Sequence, residues 1–263
     1  MRASFVPAGL AIVALVAIDA RAADAPAGAP TPAPASGDAT ASQASDDAST
    51  EWFLKRKHTI AELELGFIAL PTAPISQGQS GGNLPLVTIG HGDATASLGM
   101  HLLYRGGADW AVGAGALFAP HPTADTTYGG ASGLQRTHSR DYLWMGAEGR
   151  YIPVHLKTVE AWIGLAAGGV VVADRYDTAT AIQVPSDLGT SEVTVRTEGL
   201  SIGLQVGGEW DISETVILGT ALRFDNWILP ASEQCTPIVD CSTLTGPVTE
   251  IEFGIRLGYR IPL

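Results

Sequence analysis

From residue 58 onward, apolar side chains recur at every second position in one segment after another. The last sixteen residues show this most cleanly. In Val248–Leu263, one parity holds Ile251, Phe253, Ile255, Leu257, Tyr259, Ile261 and Leu263. The other holds Glu250, Glu252, Gly254, Arg256, Gly258 and Arg260. Successive side chains of a strand point to opposite faces, so such a segment is apolar on one side and charged or glycine on the other. The same period appears over 58–72, 93–106, 109–120, 139–153, 157–174, 193–211 and 215–229. The pattern therefore predicts eight strands. Most exceed the ~5–6 residues usual in soluble proteins and reach the ~9–11 that a tilted strand needs to cross a bilayer.

The connections alternate in length. Gly106–Asp109, Pro153–Thr158 and Asp211–Thr215 are short; Ala73–Asp93, Ala119–His138, Arg175–Glu192 and Pro230–Pro247 are long and rich in Gly, Ser, Thr, Pro and Asp. Tight turns at one end and long loops at the other are the rhythm of a transmembrane barrel, with the turns in the periplasm and the loops outside. The aromatics sort the same way. Tyr104, Trp110, Tyr151, Trp210 and Tyr259 share the apolar parity near the turn ends, where they predict a girdle at one membrane boundary. Phe67, Phe118, Phe224 and Phe253 share it toward the loop ends. The expected fold is all-β: an eight-stranded antiparallel transmembrane β-barrel, an up-and-down meander over 56–263, apolar outside and polar inside.

Two preceding segments stand apart. Residues 1–22 combine Arg2, an apolar run over Ala8–Ile18 and Ala20-Arg21-Ala22, which is the pattern of a signal peptide cleaved after Ala22. Residues 23–55 form an Ala/Pro/Ser-rich linker. Its Ala23–Thr50 part carries no aromatic, Val, Ile or Leu, so it is expected to be a disordered periplasmic lead-in. The formal net charge of −12 argues against a nucleic-acid partner, which needs clustered Lys and Arg. Only 16% of residues are charged, yet no run reaches the roughly 18 apolar residues of a spanning helix. In an exported chain, Cys235 and Cys241 read as a small loop disulfide; a metal pair is the alternative, but no His or second Cys pair lies beside them.

With these residues in view, the 56–263 region resembles the small eight-stranded outer-membrane barrels of the OmpA/OmpX type. The C-terminal Arg256, Gly258, Ile261 and Leu263 are similar to that family's assembly signal, although this chain ends in Leu263 where relatives usually end in Phe, and Pro262 sits in the last pair. The resemblance implies the outer membrane of a Gram-negative-type envelope. It also implies outer-membrane lipid and the barrel-assembly machinery as partners.

Eight strands leave an interior that side chains can fill. Glu62, Glu64, Glu148, Arg150, Glu160, Glu209, Arg223, Glu250, Glu252, Arg256 and Arg260 fall at inward parity and are expected to form a lumen ion-pair network. Closure of strand one on strand eight predicts Arg256 or Arg260 against Glu62 or Glu64, and the hairpin near Val154–Leu156 predicts Arg150 opposite Glu160. Gly113, Gly115, Gly164, Gly168, Gly203 and Gly207 would make room for these long side chains. The expected role is structural or surface-interacting through four external loops, with Thr126–Leu134, Tyr176–Ser191 and the cysteine-closed Ser232–Ser242 as recognition surfaces for an unidentified ligand. A narrow porin-like pore is the alternative. A lipid-modifying enzyme would need Ser and His in mutual reach; His138 and Ser139, with Asp141 close by, are neighbours on a strand and face opposite ways. No catalytic, cofactor or metal site is assigned.

Overall fold

The computed structural model describes residues 57–76, 78, 88–121, 128–129, 135–178, 192–236 and 240–263. Residues 1–56, where the signal peptide and linker are expected, and parts of the loops 73–93, 119–138 and 175–192 lie outside the described residues. The elements are β1 (His58–Ser76), β2 (Thr88–Arg105), β3 (Trp110–His121), β4 (Tyr128–Gly129), β5 (Gln135–His155), β6 (Val159–Thr178), β7 (Glu192–Asp211), β8 (Val216–Ile228) and β9 (Pro247–Pro262). β4 is a two-residue ladder on the end of β5. The eight long strands pair in the order β3-β2-β1-β9-β8-β7-β6-β5, and β5 returns to β3, so the sheet closes. Every pairing is antiparallel; apart from β3–β5, which skips the short β4, strands pair with their sequence neighbours until the β1–β9 seam, which runs from His58 against Pro262 to Ala69 against Ile251. Pro262 lies in the last pair of that seam, where a missing N–H costs no interior ladder bond.

Several strands run farther toward the loop end than the apolar alternation suggests. β1 continues to Ser76, β2 begins at Thr88 and β5 begins at Gln135. The backbone ladder carries on there while the side chains become Pro, Gly, Thr and charged residues. Outside a bilayer the outward face need not be apolar, so the pattern stops before the strand does.

The strands lean. A row of paired residues leads from Tyr151 through Ile163, Val206, Leu222, Phe253 and Phe67 to Ala96. Continued two residues past the Leu98–Phe118 pair, it meets Pro120 and returns to β5 at Asp141, ten residues from its start. That stagger tilts the strands and fixes the lumen at a width that side chains can fill.

The polarity of the wall is inverted relative to a soluble barrel. Leu65, Leu98, Met100, Leu165, Leu200 and Leu257 are each more than half exposed on the outside. Inside, Glu62, Glu64, Arg105, Arg150, Arg256 and Arg260 are each at most 4% exposed. Trp110, Tyr151, Trp210 and Tyr259 face outward at the turn end, and Tyr104 meets Trp110 edge-on at 6.2 Å between ring centroids. The outward Phe67, Phe118, Phe224 and Phe253 lie farther up, Phe67 directly across from Phe253.

Candidate functional site: the lumen and its loop-closed mouth

Parity places every acidic and basic residue expected inside at a buried position, and their partners follow from the tilt. Near the turn end, Arg105 from β2 forks onto Glu160 of β6, at 2.6 Å to Oε2 and 2.8 Å to Oε1. His155 Nδ1 lies 2.9 Å from the same carboxylate, and Arg260 Nη2 donates to Asp211 at 2.6 Å. One layer up, Arg150 forks onto Glu62 across the lumen at 2.8 and 2.6 Å and also reaches Glu209 at 3.1 Å. Arg256 Nε donates to Glu64, and its Nη1 lies 3.7 Å from Glu62. His101 bridges Glu148, 2.8 Å from Nδ1, and Glu64, 3.1 Å from Nε2. The Trp162 ring lies beneath two of these cations, its centroid 4.4 Å from the Arg150 guanidinium carbon and 5.4 Å from that of Arg256. Buried charge is tolerated only when paired and hydrogen-bonded in this way.

Two expected pairings differ in detail. Arg150 does not face Glu160. The turn closes at Leu156–Val159, so His155 opposes Glu160, and Arg150 lies opposite Gly164, four residues farther up β6. Glu160 therefore takes Arg105, and Arg150 takes Glu62. Arg256 does reach Glu64 across the seam, whereas Arg260 binds Asp211 and comes only within 4.0 Å of Glu160.

Above this network the lumen turns apolar. Arg223 pairs with Asp225 on its own strand and stacks 3.8 Å over the Trp144 ring. Ser201 donates to Asp225, and Ser97 donates to Glu252 at 3.2 Å. Glu250 is buried at the same inward parity. Ile68, Leu70, Leu117, Tyr142, Trp144, Val170, Val172 and Trp227 then pack as one cluster. Sequence reasoning missed this layer because charge was the mark of the inward parity. A signal was present: Tyr142, Trp144 and Trp227 stand at the inward parity of their strands, and all three are buried.

The mouth is closed by the β8–β9 connection. Cys235 and Cys241 are bonded. The arm after the bridge does not stand out as a recognition loop: Cys241, Ser242, Thr243 and Leu244 are all buried, and Leu244 belongs to the apolar cluster. Backbone bonds tie the arm to the end of β1, from Ser76 N to Thr243 O at 2.9 Å and from Cys241 N to Gly78 O. Gly78 has a φ of +69°, and a Cβ there would collide with the Tyr176 hydroxyl. Asp174 accepts from Thr243 N at 2.9 Å and from Thr243 Oγ1 at 2.6 Å. Arg140 donates to Thr243 Oγ1 at 2.7 Å, to Asp174 at 3.2 Å and to Asp93 at 2.9 Å, while Tyr142 donates to Asp93. Tyr176 donates to Cys241 O at 2.7 Å. An arm with Ser and Thr at its centre reads as a solvated loop in sequence; β1, β5 and β6 hold it inside with complementary groups.

His138 Nε2 lies 2.8 Å from Asp174, and its ring tilts against Tyr176 at 4.8 Å. Ser139 is on the outer wall. The two residues thus form no nucleophile–base pair. Among the described residues, no group of three or more His, Cys, Asp or Glu side chains could hold a metal ion.

Eight antiparallel strands closed on themselves, with an apolar wall outside and paired charges inside, define the class: a small membrane-spanning β-barrel with the fold of the eight-stranded outer-membrane barrels. No family model and no curated protein matches the sequence. Among solved structures, the chain is similar to a major outer membrane protein from Thermus thermophilus (TM-score 0.48, 13% identity, 77% of this chain and 99% of that one). It is also similar to Neisserial surface protein A (0.46, 10%, 79% and 97%) and to the outer membrane protein OprG from Pseudomonas aeruginosa (0.42, 14%, 80% and 99%).

Proposed function

We propose that the chain is an integral outer-membrane barrel with a closed lumen and a structural or surface-interaction role at its loop end, not a pore. The observation that carries this reading is the buried Cys241–Leu244 arm, which seats on an apolar layer above a paired charge network. A water path would have to cross all three. The inferred export signal over 1–22 and the Cys235–Cys241 bond suit an oxidising envelope compartment. In this reading the short turns and the C-terminal end of β9 face the periplasm, and the loops face outward. Arg256, Gly258, Ile261 and Leu263 lie at the end of the chain that carries β9, the seam strand, where the assembly machinery would meet the barrel before closure on β1. The geometry around His138 assigns no catalysis.

Purified protein in a planar bilayer tests the closed lumen. The expected result is a flat current trace; steady single-channel steps would overturn the plug in favour of the narrow pore. Unboiled protein should migrate differently from boiled protein on a gel, and identical mobility would sink the membrane-barrel reading.

A further inference from the structure

The β8–β9 connection is a hairpin over the mouth, and its two arms differ. Its base is closed by Leu229 N on Gly246 O at 3.2 Å and Gly246 N on Pro230 O at 2.9 Å. In the outer arm, Ala231, Ser232, Glu233, Gln234 and Cys235 are all exposed. In the inner arm, Asp240, Cys241, Ser242, Thr243 and Leu244 are all buried. Among the described residues, the outer arm bonds to the inner arm rather than to the barrel. Gln234 N donates to Ser242 Oγ at 3.0 Å, Ser242 N to Gln234 O at 2.8 Å and Thr236 N to Asp240 O at 2.8 Å. The Cys235–Cys241 bond, spanning six positions, therefore joins a solvent-facing arm to a seated one.

The inner arm makes the seal: Cys241 N on Gly78 O, Thr243 on Asp174 and Arg140, and Leu244 in the apolar layer. Seating it requires this short run to give up chain freedom, and lost chain freedom is the main term opposing order. The bond removes part of that freedom beforehand, because it closes a small ring and narrows the shapes open to the released loop. In the chain-entropy picture a ring of this size restricts the released loop roughly fortyfold. The bond thus favours the seated arm without touching the barrel wall. Exposure also decides where a reductant enters. Cys235 faces solvent and Cys241 is fully buried, and thiol exchange needs access to the sulfur attacked.

We propose that Cys235–Cys241 is a redox latch on the mouth, opened by a small external thiol at Cys235. The thiolate attacks Cys235 Sγ to form a mixed disulfide, and Cys241 departs as a thiolate that takes a proton from water. A second thiolate then attacks the reductant's sulfur in the mixed disulfide and releases Cys235. Two external thiols become one disulfide, and the protein gains two electrons and two protons. The freed loop leaves its seat far more often. Leu244 withdraws from the apolar layer with it, and Arg140, Asp174 and Tyr176 are uncovered. The latch rests on the closed-lumen reading, since only a sealed mouth has something to release.

The test compares amide hydrogen exchange of the oxidised full protein in phosphatidylcholine nanodiscs with that of the same protein reduced by 2-mercaptoethanol. Exchange at the Cys241 and Thr243 amides, which donate to Gly78 and Asp174, reads how often the arm opens. Their protection should fall roughly fortyfold on reduction, while amides of the β1–β9 seam keep theirs. C235S/C241S should match the reduced protein and ignore the thiol. In a planar bilayer, brief openings should become more frequent by a similar factor. Unchanged protection at Cys241 and Thr243 would overturn the latch. A fall that spreads to the seam would overturn it too, since the bond would then hold the barrel rather than the arm. Protection that falls while the current stays flat overturns the arm as the seal. In protein quenched early, a thiol adduct on Cys241 in preference to Cys235 would put the attack on the wrong sulfur. Steady current from the oxidised protein defeats the closed-lumen reading, whereas a silent oxidised protein with unchanged exchange on reduction defeats the latch alone.

Discussion

Toward the turn end, the lumen is filled by side chains that belong to the strands themselves, each reaching another strand: Arg105 to Glu160, Arg150 to Glu62 and Glu209, Arg256 to Glu64. Toward the loop end, it is filled by apolar side chains and by an arm of the β8–β9 loop held by Arg140, Asp174 and Tyr176. The first half ties the barrel wall together. The second half seals it. The difference teaches that one lumen can separate stability from closure: charges that bridge strands tie the wall, whereas the arm is a loop segment seated in the loop-end half.

The sharpest break of that comparison is Arg150→Ala. It strands the carboxylates of Glu62 and Glu209, and removing one partner of a buried ion pair costs about 3–5 kcal/mol. Urea unfolding of detergent-refolded protein should show that loss, while a planar bilayer stays silent because the arm still seals the mouth. Next comes Trp227→Ala, within the apolar layer. Core Trp→Ala substitutions cost about 3–5 kcal/mol, and this one should sit at the lower end because the loop arm can settle into the space. The same urea titration measures it. Smallest is Thr243→Val, which removes the hydroxyl between Arg140 and Asp174 but keeps the backbone bond to Asp174. About 1 kcal/mol is expected, barely moving the urea midpoint, yet brief current openings should become more frequent than in wild type. If Arg150→Ala opened a current and Thr243→Val lowered stability by more than Trp227→Ala, the two halves would have the opposite roles.

Much of the turn-end half was legible. Arg256 against Glu64 follows from closure of the first strand on the last, since both carry their charges at inward parity along a seam with an unbroken register. Arg150 against Glu160 was not recoverable. The β5–β6 turn closes at Leu156–Val159, farther along the chain than the apolar pattern marks it, and the partner Arg150 takes lies across the lumen, 88 positions away in sequence. The apolar layer hid behind the rule that inward means charged, although Trp144 already sat at the parity of Glu148 and Arg150, and Trp227 at that of Arg223 and Asp225. Nothing local marks Cys241–Leu244 as buried. Its polar residues are those of an exposed loop, and partners far away in sequence, Ser76, Gly78, Arg140, Asp174 and Tyr176, make the interior habitable for it.

By itself, the sequence determined which face of each strand meets lipid and which meets the lumen. Side-chain direction alternates with a period of two whatever the strand pairs with, so composition at alternate positions is enough. The closed eight-strand meander followed, because short turns force neighbours to pair. Tertiary structure alone decided which charges meet across the lumen, how far the strands lean and what seals the mouth. Those depend on register and stagger summed around the whole barrel, quantities that no stretch of local sequence contains.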